Sequence, residues 1–234
     1  AAAGGGQCVL LPAAWCGAHE RASLDALARD VAACAGGALV PHRTQKRLQV
    51  FGEGLRESEL FPALVARMLA AAGGLSLVDC WVNVYRDGGE STGWHQDHYN
   101  LRKPHACATL NLNLGATRDL ALEHIASGAR FRVPQENGSL FGFDARFNAE
   151  FRHAVPPEPR LPAAPESLRL SVTVFAADGP QPGSVARDVD NVPPGVPLAA
   201  SWAGWDLLDR GWRPPVAGMG AGAGEGARLL LEQG

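Results

Sequence analysis

Hydrophobic residues along this chain first recur at helical spacing and then, from about residue 76, at every second position. Over residues 20–35, Leu24, Leu27, Ala28 and Val31 share one helical face; over 58–72, Leu60, Phe61, Leu64, Val65, Met68 and Leu69 do the same. Ser58 is placed to cap the second helix, Pro62 falls in its first turn where a missing N–H is tolerated, and Gly73-Gly74 ends it. The alternating part begins with Val82 and Val84 interleaved with Asn83 and Tyr85. Next come Leu110, Leu112 and Leu114 with Thr109, Asn111 and Asn113, and later Leu168, Leu170, Val172 and Val174 with Arg169, Ser171 and Thr173. Further strands are predicted at 119–124, 129–133, 138–143 and 151–155, separated by turn signals such as Asp87-Gly88-Gly89 and Asn137-Gly138. Successive strand residues point to opposite faces, so each strand has one apolar face to pack on the helices and one polar face. The pattern predicts a mainly β fold with flanking α-helices, in which polar strand faces line a barrel mouth.

Composition narrows the class. The chain has 234 residues, 46% of them hydrophobic, enough for one large domain with a sizeable core. No apolar run reaches the roughly 18 residues of a membrane span, so no membrane association is expected. The net charge of -3 leaves any nucleic-acid contact to a local patch. The cysteines (Cys8, Cys16, Cys34, Cys80 and Cys107) are odd in number and form no Cys-x-x-Cys pair, which argues against a disulfide framework and for a reduced, intracellular setting. Ala1 is not an initiator Met, so a fragment or a processed chain is expected, and Ala1–Gly6 lacks the charged-then-apolar layout of a secretory signal. After about residue 177 the chain is rich in Gly, Pro and Ala, a composition that does not fold alone. The predicted organisation is an N-terminal segment 1–19, a domain 20–176 and an irregular tail 177–234. Within the tail, segment 201–213 holds Trp202, Trp205, Leu207, Leu208 and Trp212, either a short helix docked on the domain or a partner-binding peptide.

Chemistry enters with His95-Gln96-Asp97. In a strand, His95 and Asp97 face one side and Gln96 the other, so both could reach one metal. His153, in the extended segment Phe151–Pro156, is the best placed third ligand. Two histidines and a carboxylate are the ligand set of a non-haem Fe(II) centre with open positions; zinc would accept the same three groups. His98 and His105 stand near the motif, as surface residues or as groups supporting the ligands. Arg169 separates the alternatives. Its guanidinium fork suits a carboxylate, and it shares the polar face of its strand with Ser171 and Thr173. Asn83 and Tyr85 add an amide and a phenol on an earlier strand. For nucleic acid, the basic stretch 42–47 offers Arg43, Lys46 and Arg47 to phosphates, and Phe51, Trp94 and Tyr99 could stack on a flipped base. The plainer reading of these groups is a solvated loop and core aromatics.

The stretch from Asn83 to Phe175 resembles the AlkB family of Fe(II)/2-oxoglutarate dioxygenases. The resemblance rests on Asn83-x-Tyr85, His95-Gln96-Asp97, Leu114-Gly115, Arg118-Asp119, Gly138-Ser139-Leu140, His153 and Arg169-x-Ser171-x-Thr173, in that order. Pro41-His42-Arg43 and Phe51-Gly52 are similar to a degenerate form of the family's substrate-lid segment. The resemblance implies a double-stranded β-helix, or jelly-roll, buttressed by N-terminal helices. It implies that His95, Asp97 and His153 bind Fe(II), that Arg169 pairs with the distal carboxylate of 2-oxoglutarate assisted by Tyr85, and that Asn83 lies near the keto-acid end, with Ser171 and Thr173 lining the co-substrate site. With O2 as oxidant, 2-oxoglutarate would be decarboxylated to succinate while a C–H bond is hydroxylated; an N-methyl group on a DNA or RNA base would leave as formaldehyde. Two positions depart from the family. Phe175 stands where a second arginine usually approaches the keto-acid carboxylate, and Tyr99 stands where an acidic residue often contacts the base. The alternatives are the same iron chemistry on a protein side chain or small metabolite, or a non-catalytic jelly-roll binding module.

Overall fold

The computed structural model describes residues 8–11, 18–33, 39–41, 45–55, 57–58, 60–99, 106–162, 165–178 and 230–231. Among the described residues, twelve strands form two antiparallel sheets. The larger orders β1 (Cys8–Leu11), β9 (Leu140–Asp144), β6 (Ala108–Gly115), β11 (Arg169–Ala177), β4 (Ser76–Tyr85), β3 (Leu48–Phe51) and β2 (Leu39–Pro41) side by side. The smaller orders β12 (Leu230–Leu231), β8 (Arg130–Gln135), β7 (Arg118–His124), β10 (Phe151–Val155) and β5 (Thr92–His95). The strands β4 to β11 divide four and four between the sheets, and the chain passes from one sheet to the other and back as it runs. That is the jelly-roll expected from the sequence.

Two helices, α1 (Ala18–Ala33) and α2 (Leu60–Ala71), cover the outer face of the larger sheet. Ser58 caps α2, its Oγ accepting from the Phe61 N–H at 2.9 Å. Gly73 and Gly74 follow α2 with φ of 79° each, a conformation that favours glycine and stops the helix. Leu24, Leu27 and Val31 of α1 and Phe61, Leu64 and Met68 of α2 pack with Val82, Val84, Leu110, Leu112, Leu170 and Val172 of the sheet. Each fully buried leucine in this layer holds about 2–5 kcal/mol against truncation to alanine. A second cluster, with Leu120, Leu122, Phe131, Phe141, Phe143 and Phe151, fills the space between the sheets.

The consequence for the site lies in β11, where every residue is buried. Leu170, Val172 and Val174 face the helices, so the polar residues Arg169, Ser171 and Thr173 are buried in the barrel interior. A buried polar row needs partners. Register supplies them: Arg169 pairs with Tyr85 and Gly115, Ser171 with Asn83 and Asn113, and Thr173 with Trp81 and Asn111. The predicted sites at Arg43, His42 and His105 and the Trp202–Trp212 cluster lie outside the described residues. No described helix is long and apolar enough to cross a membrane.

Candidate metal centre and co-substrate cavity

β5 ends at His95, and residues 96–98 have no regular structure. Asp97 therefore does not reach the site by strand alternation, as the sequence spacing had suggested. It is aimed by Asn148 of α3 (Ala145–Glu150) instead: the Asp97 N–H donates to Asn148 Oδ1 at 2.8 Å and Asn148 Nδ2 donates back to the Asp97 carbonyl at 2.9 Å. Gln96 points away, its Nε2 donating to the Asn148 carbonyl at 2.6 Å. His153 arrives by register, directly opposite His95 on the neighbouring strand. Asp97 Oδ1 lies 3.8 Å from His95 Nε2 and 3.9 Å from His153 Nε2. One ligand atom from each of the three residues falls within 4.8 Å of the others, so together they could hold a metal ion.

Local hydrogen bonds prepare these groups for that role. His95 Nδ1 sits 2.9 Å from the Gly93 carbonyl, which can only accept; Nδ1 carries the proton and Nε2 keeps its lone pair. Burial, with a smaller contribution from His95, pushes His153 down to about 4 against the opposing pull of Asp97, so its imidazole is neutral near pH 7. Thr109 Oγ1 donates to Asp97 Oδ2 at 2.9 Å and lies 2.7 Å from the Tyr99 hydroxyl. Thr109 has one hydroxyl proton and spends it on the carboxylate, so Tyr99 donates to Thr109. This relay occupies Oδ2 and leaves Oδ1 toward the histidines. Two imidazoles and one carboxylate fit Fe(II).

Beside the triad lies a cavity lined by the polar row of β11 and its neighbours. Arg169, 2% exposed, donates through Nη2 to Asn113 Oδ1, and its guanidinium lies 4.9 Å from the centre of the Tyr85 ring. Its Nε and Nη1 have no hydrogen-bond partner among the described residues. Burial lowers its pKa to about 10, so it stays cationic near pH 7. A buried cation without a carboxylate costs several kcal/mol, and an entering carboxylate that accepts from a free donor offsets that cost. The orphaned donors of Arg169 therefore fit a dicarboxylate co-substrate. Asn83 Nδ2 donates to Thr173 Oγ1 at 3.1 Å, which in turn donates to Asn111 Oδ1 at 2.8 Å, while Asn83 Oδ1 has no partner among the described residues. Arg118, 1% exposed, sets the rim: it donates to the carbonyls of Asp87, Glu90 and Pro156 at 3.2, 2.8 and 2.7 Å, tying the β4–β5 loop to the end of β10.

The structure thus brings His95, Asp97, His153, Asn83, Tyr85, Arg169, Ser171 and Thr173 to one cavity. It treats the expected base-contacting residues differently. Trp94 precedes His95 and so faces outward, where it packs against the guanidinium groups of Arg130 and Arg152 at 5.8 and 5.5 Å. Tyr99 is buried, its hydroxyl committed to Thr109, and is not open to a base. Arg47 is buried in the cavity rather than displayed on a loop, whereas Lys46 is exposed. Phe51 is exposed and meets Trp81 edge-on at 6.5 Å. Thr109, Asn111 and Asn113 were visible as a polar alternation without a role assigned; Thr92, Gln135 and Asn148 gave no local signal.

Fold and donor set together define a jelly-roll metal centre with an adjoining carboxylate pocket. The model of the 2OG-Fe(II) oxygenase superfamily matches residues 38–174, more than half of the chain, and the chain belongs to that superfamily. It is an oxidoreductase whose family uses Fe(II), 2-oxoglutarate and O2. No curated protein sequence matches it. Among solved structures it is similar to OsALKBH1, with 17% identity and a TM-score of 0.52 over 74% of this chain and 97% of that one. It also matches a Pseudomonas putida prolyl-4-hydroxylase at 23% identity and a TM-score of 0.48, over 76% of this chain and 95% of that one.

Proposed function

We propose that this oxygenase removes an N-alkyl group from a base in DNA or RNA. The observation that carries this reading is an aromatic run beside the cavity. Phe51, 46% exposed, meets Trp81, and Trp81, which lines the cavity, lies 4.8 Å from Phe175. A planar ring entering past Phe51 would find aromatic surface along its path, which is how an extruded base is held. Exposed Lys46, five positions before Phe51, offers a cation to a phosphate.

In this reading His95, Asp97 and His153 hold the iron and Arg169 anchors the distal carboxylate of 2-oxoglutarate. When bound, iron and 2-oxoglutarate would supply the oxidation: one oxygen atom of O2 would enter succinate with loss of CO2, the other would enter the C–H bond, and an N-hydroxymethyl product would release formaldehyde. The chain's own residues position these groups. Asn113 holds the Arg169 fork, Tyr85 lies against it, and the Thr109 relay keeps Asp97 in one orientation. The test is 2-oxoglutarate turnover with a panel of N-methylated DNA and RNA oligonucleotides. Stimulated succinate formation with matching formaldehyde is expected. Turnover stimulated by peptides or small metabolites, and by no oligonucleotide, would replace the nucleic-acid substrate with one of those.

A further inference from the structure

The cavity contains a second buried arginine that the metal triad and the Arg169 anchor do not use. Arg47 is 7% exposed. Its Nε donates to Thr92 Oγ1 at 2.8 Å, and Thr92 Oγ1 is also 2.7 Å from the Tyr85 hydroxyl. Its Nη1 has no hydrogen-bond partner among the described residues. Burial depresses its pKa, and the two groups that pull it back up are Tyr85 and Asp97. Arg47 therefore joins, through Thr92, the Tyr85 side of the cavity that the metal triad also lines.

Its position is built by the backbone. Lys46 forms an isolated antiparallel bridge with Ser91, the Ser91 N–H donating to the Lys46 carbonyl at 2.8 Å, and the Gly93 N–H donates to Gln45 Oε1 at 2.5 Å. Residues 45–47 thus strap the end of the larger sheet to the start of β5 in the smaller one. In an extended strap, alternation puts Lys46 outside and Arg47 inside, as their exposures confirm. On β11, Phe175 is 1% exposed and packed against Trp81 and Tyr99, and its ring offers no donor. A dicarboxylate whose distal end is held by Arg169 would present its other carboxylate toward the metal triad, where a second guanidinium would add a charge-assisted partner.

We propose that Arg47 is a co-substrate-binding residue that holds the keto-acid carboxylate of 2-oxoglutarate, supplying from the strap the second guanidinium that the last strand lacks. The proposal rests on the family's co-substrate and not on which molecule is oxidised, so a failed oligonucleotide panel leaves it standing.

Calorimetry on the full chain, oxygen-free and loaded with Mn(II) in place of iron, tests it without turnover. The ligands are 2-oxoglutarate and 2-oxopentanoate, which keeps the keto-acid end but has no distal carboxylate. Arg47→Gln should weaken both ligands by about tenfold or more, with Arg47→Lys between it and wild type. Arg169→Gln should weaken 2-oxoglutarate and leave 2-oxopentanoate unchanged. Unchanged binding in Arg47→Gln, or a loss confined to 2-oxoglutarate, would overturn the assignment. If the Arg47 variants do not fold, hydrogen exchange of the wild-type protein decides. Amides of residues 45–50 should slow when 2-oxopentanoate is added, and no change there sinks the proposal.

Discussion

His153 stands directly across from His95 on the adjacent antiparallel strand, and their imidazole rings lie 4.2 Å apart at 52°. Sheet register, not sequence proximity, makes this pair, and only Asp97 has to be carried in from a loop. That division of labour sets what each substitution does.

Asp97→Ala removes the one carboxylate ligand and leaves the two imidazoles. The variant should lose Fe(II)-dependent decarboxylation of 2-oxoglutarate to background and should no longer gain melting temperature when metal is added. A metal-induced shift equal to wild type would take Asp97 out of the site.

The relay above Asp97 is expected to tune the metal without touching it. Thr109→Val deletes the hydrogen bond to Oδ2 while keeping the shape, and should weaken metal binding by about 10–100-fold. Tyr99→Phe removes only the outer link and should have a smaller effect. Competition with a chromophoric chelator measures both, and equal affinities for Thr109→Val and wild type would reduce the relay to packing.

Arg169→Ala should cost about 2–5 kcal/mol of 2-oxoglutarate binding, because it deletes a charged donor in a site with little water. The loss should appear as a raised requirement for 2-oxoglutarate at unchanged metal affinity. An unchanged requirement would mean the distal carboxylate is held elsewhere.

His153 gives the metal-free protein a pH dependence. Its folded-state value, lowered by burial to about 4, lies below the 6.5 of a free histidine. The unfolded chain therefore binds the extra proton between those two values, and stability falls as pH falls. The contribution is intact above pH 6.5 and about 3 kcal/mol is lost by pH 4. Urea midpoints of the apoprotein across that range should show this slope, and His153→Gln should flatten it. Equal slopes would assign acid lability to other groups.

Much of this architecture was legible from alternation alone. The interleaving of Arg169, Ser171 and Thr173 with Leu170, Val172 and Val174 implied a strand with two different faces, and both turned out to be buried. Helix ends were legible at Ser58 and at Gly73-Gly74 because capping is local chemistry. Trp94, expected from the sequence to stack on a base, instead faces outward beside His95 and packs on Arg130 and Arg152. What sequence could not supply was chain crossing. Asn148 reaches Asp97 from α3, and Arg47 enters the barrel because Lys46 bridges to Ser91. Those placements depend on how distant segments meet, and a basic stretch reads the same whether its arginine points to solvent or inward.

The segment from β4 to β11 holds all three candidate metal ligands and Arg169, yet the strap at 45–47 lies upstream of it. The jelly-roll is in this sense an incomplete catalyst, and residues 45–47 serve as a small subunit fused to its N-terminal side. A fragment starting at Ser76 would keep the candidate metal ligands but lose one wall of the co-substrate cavity.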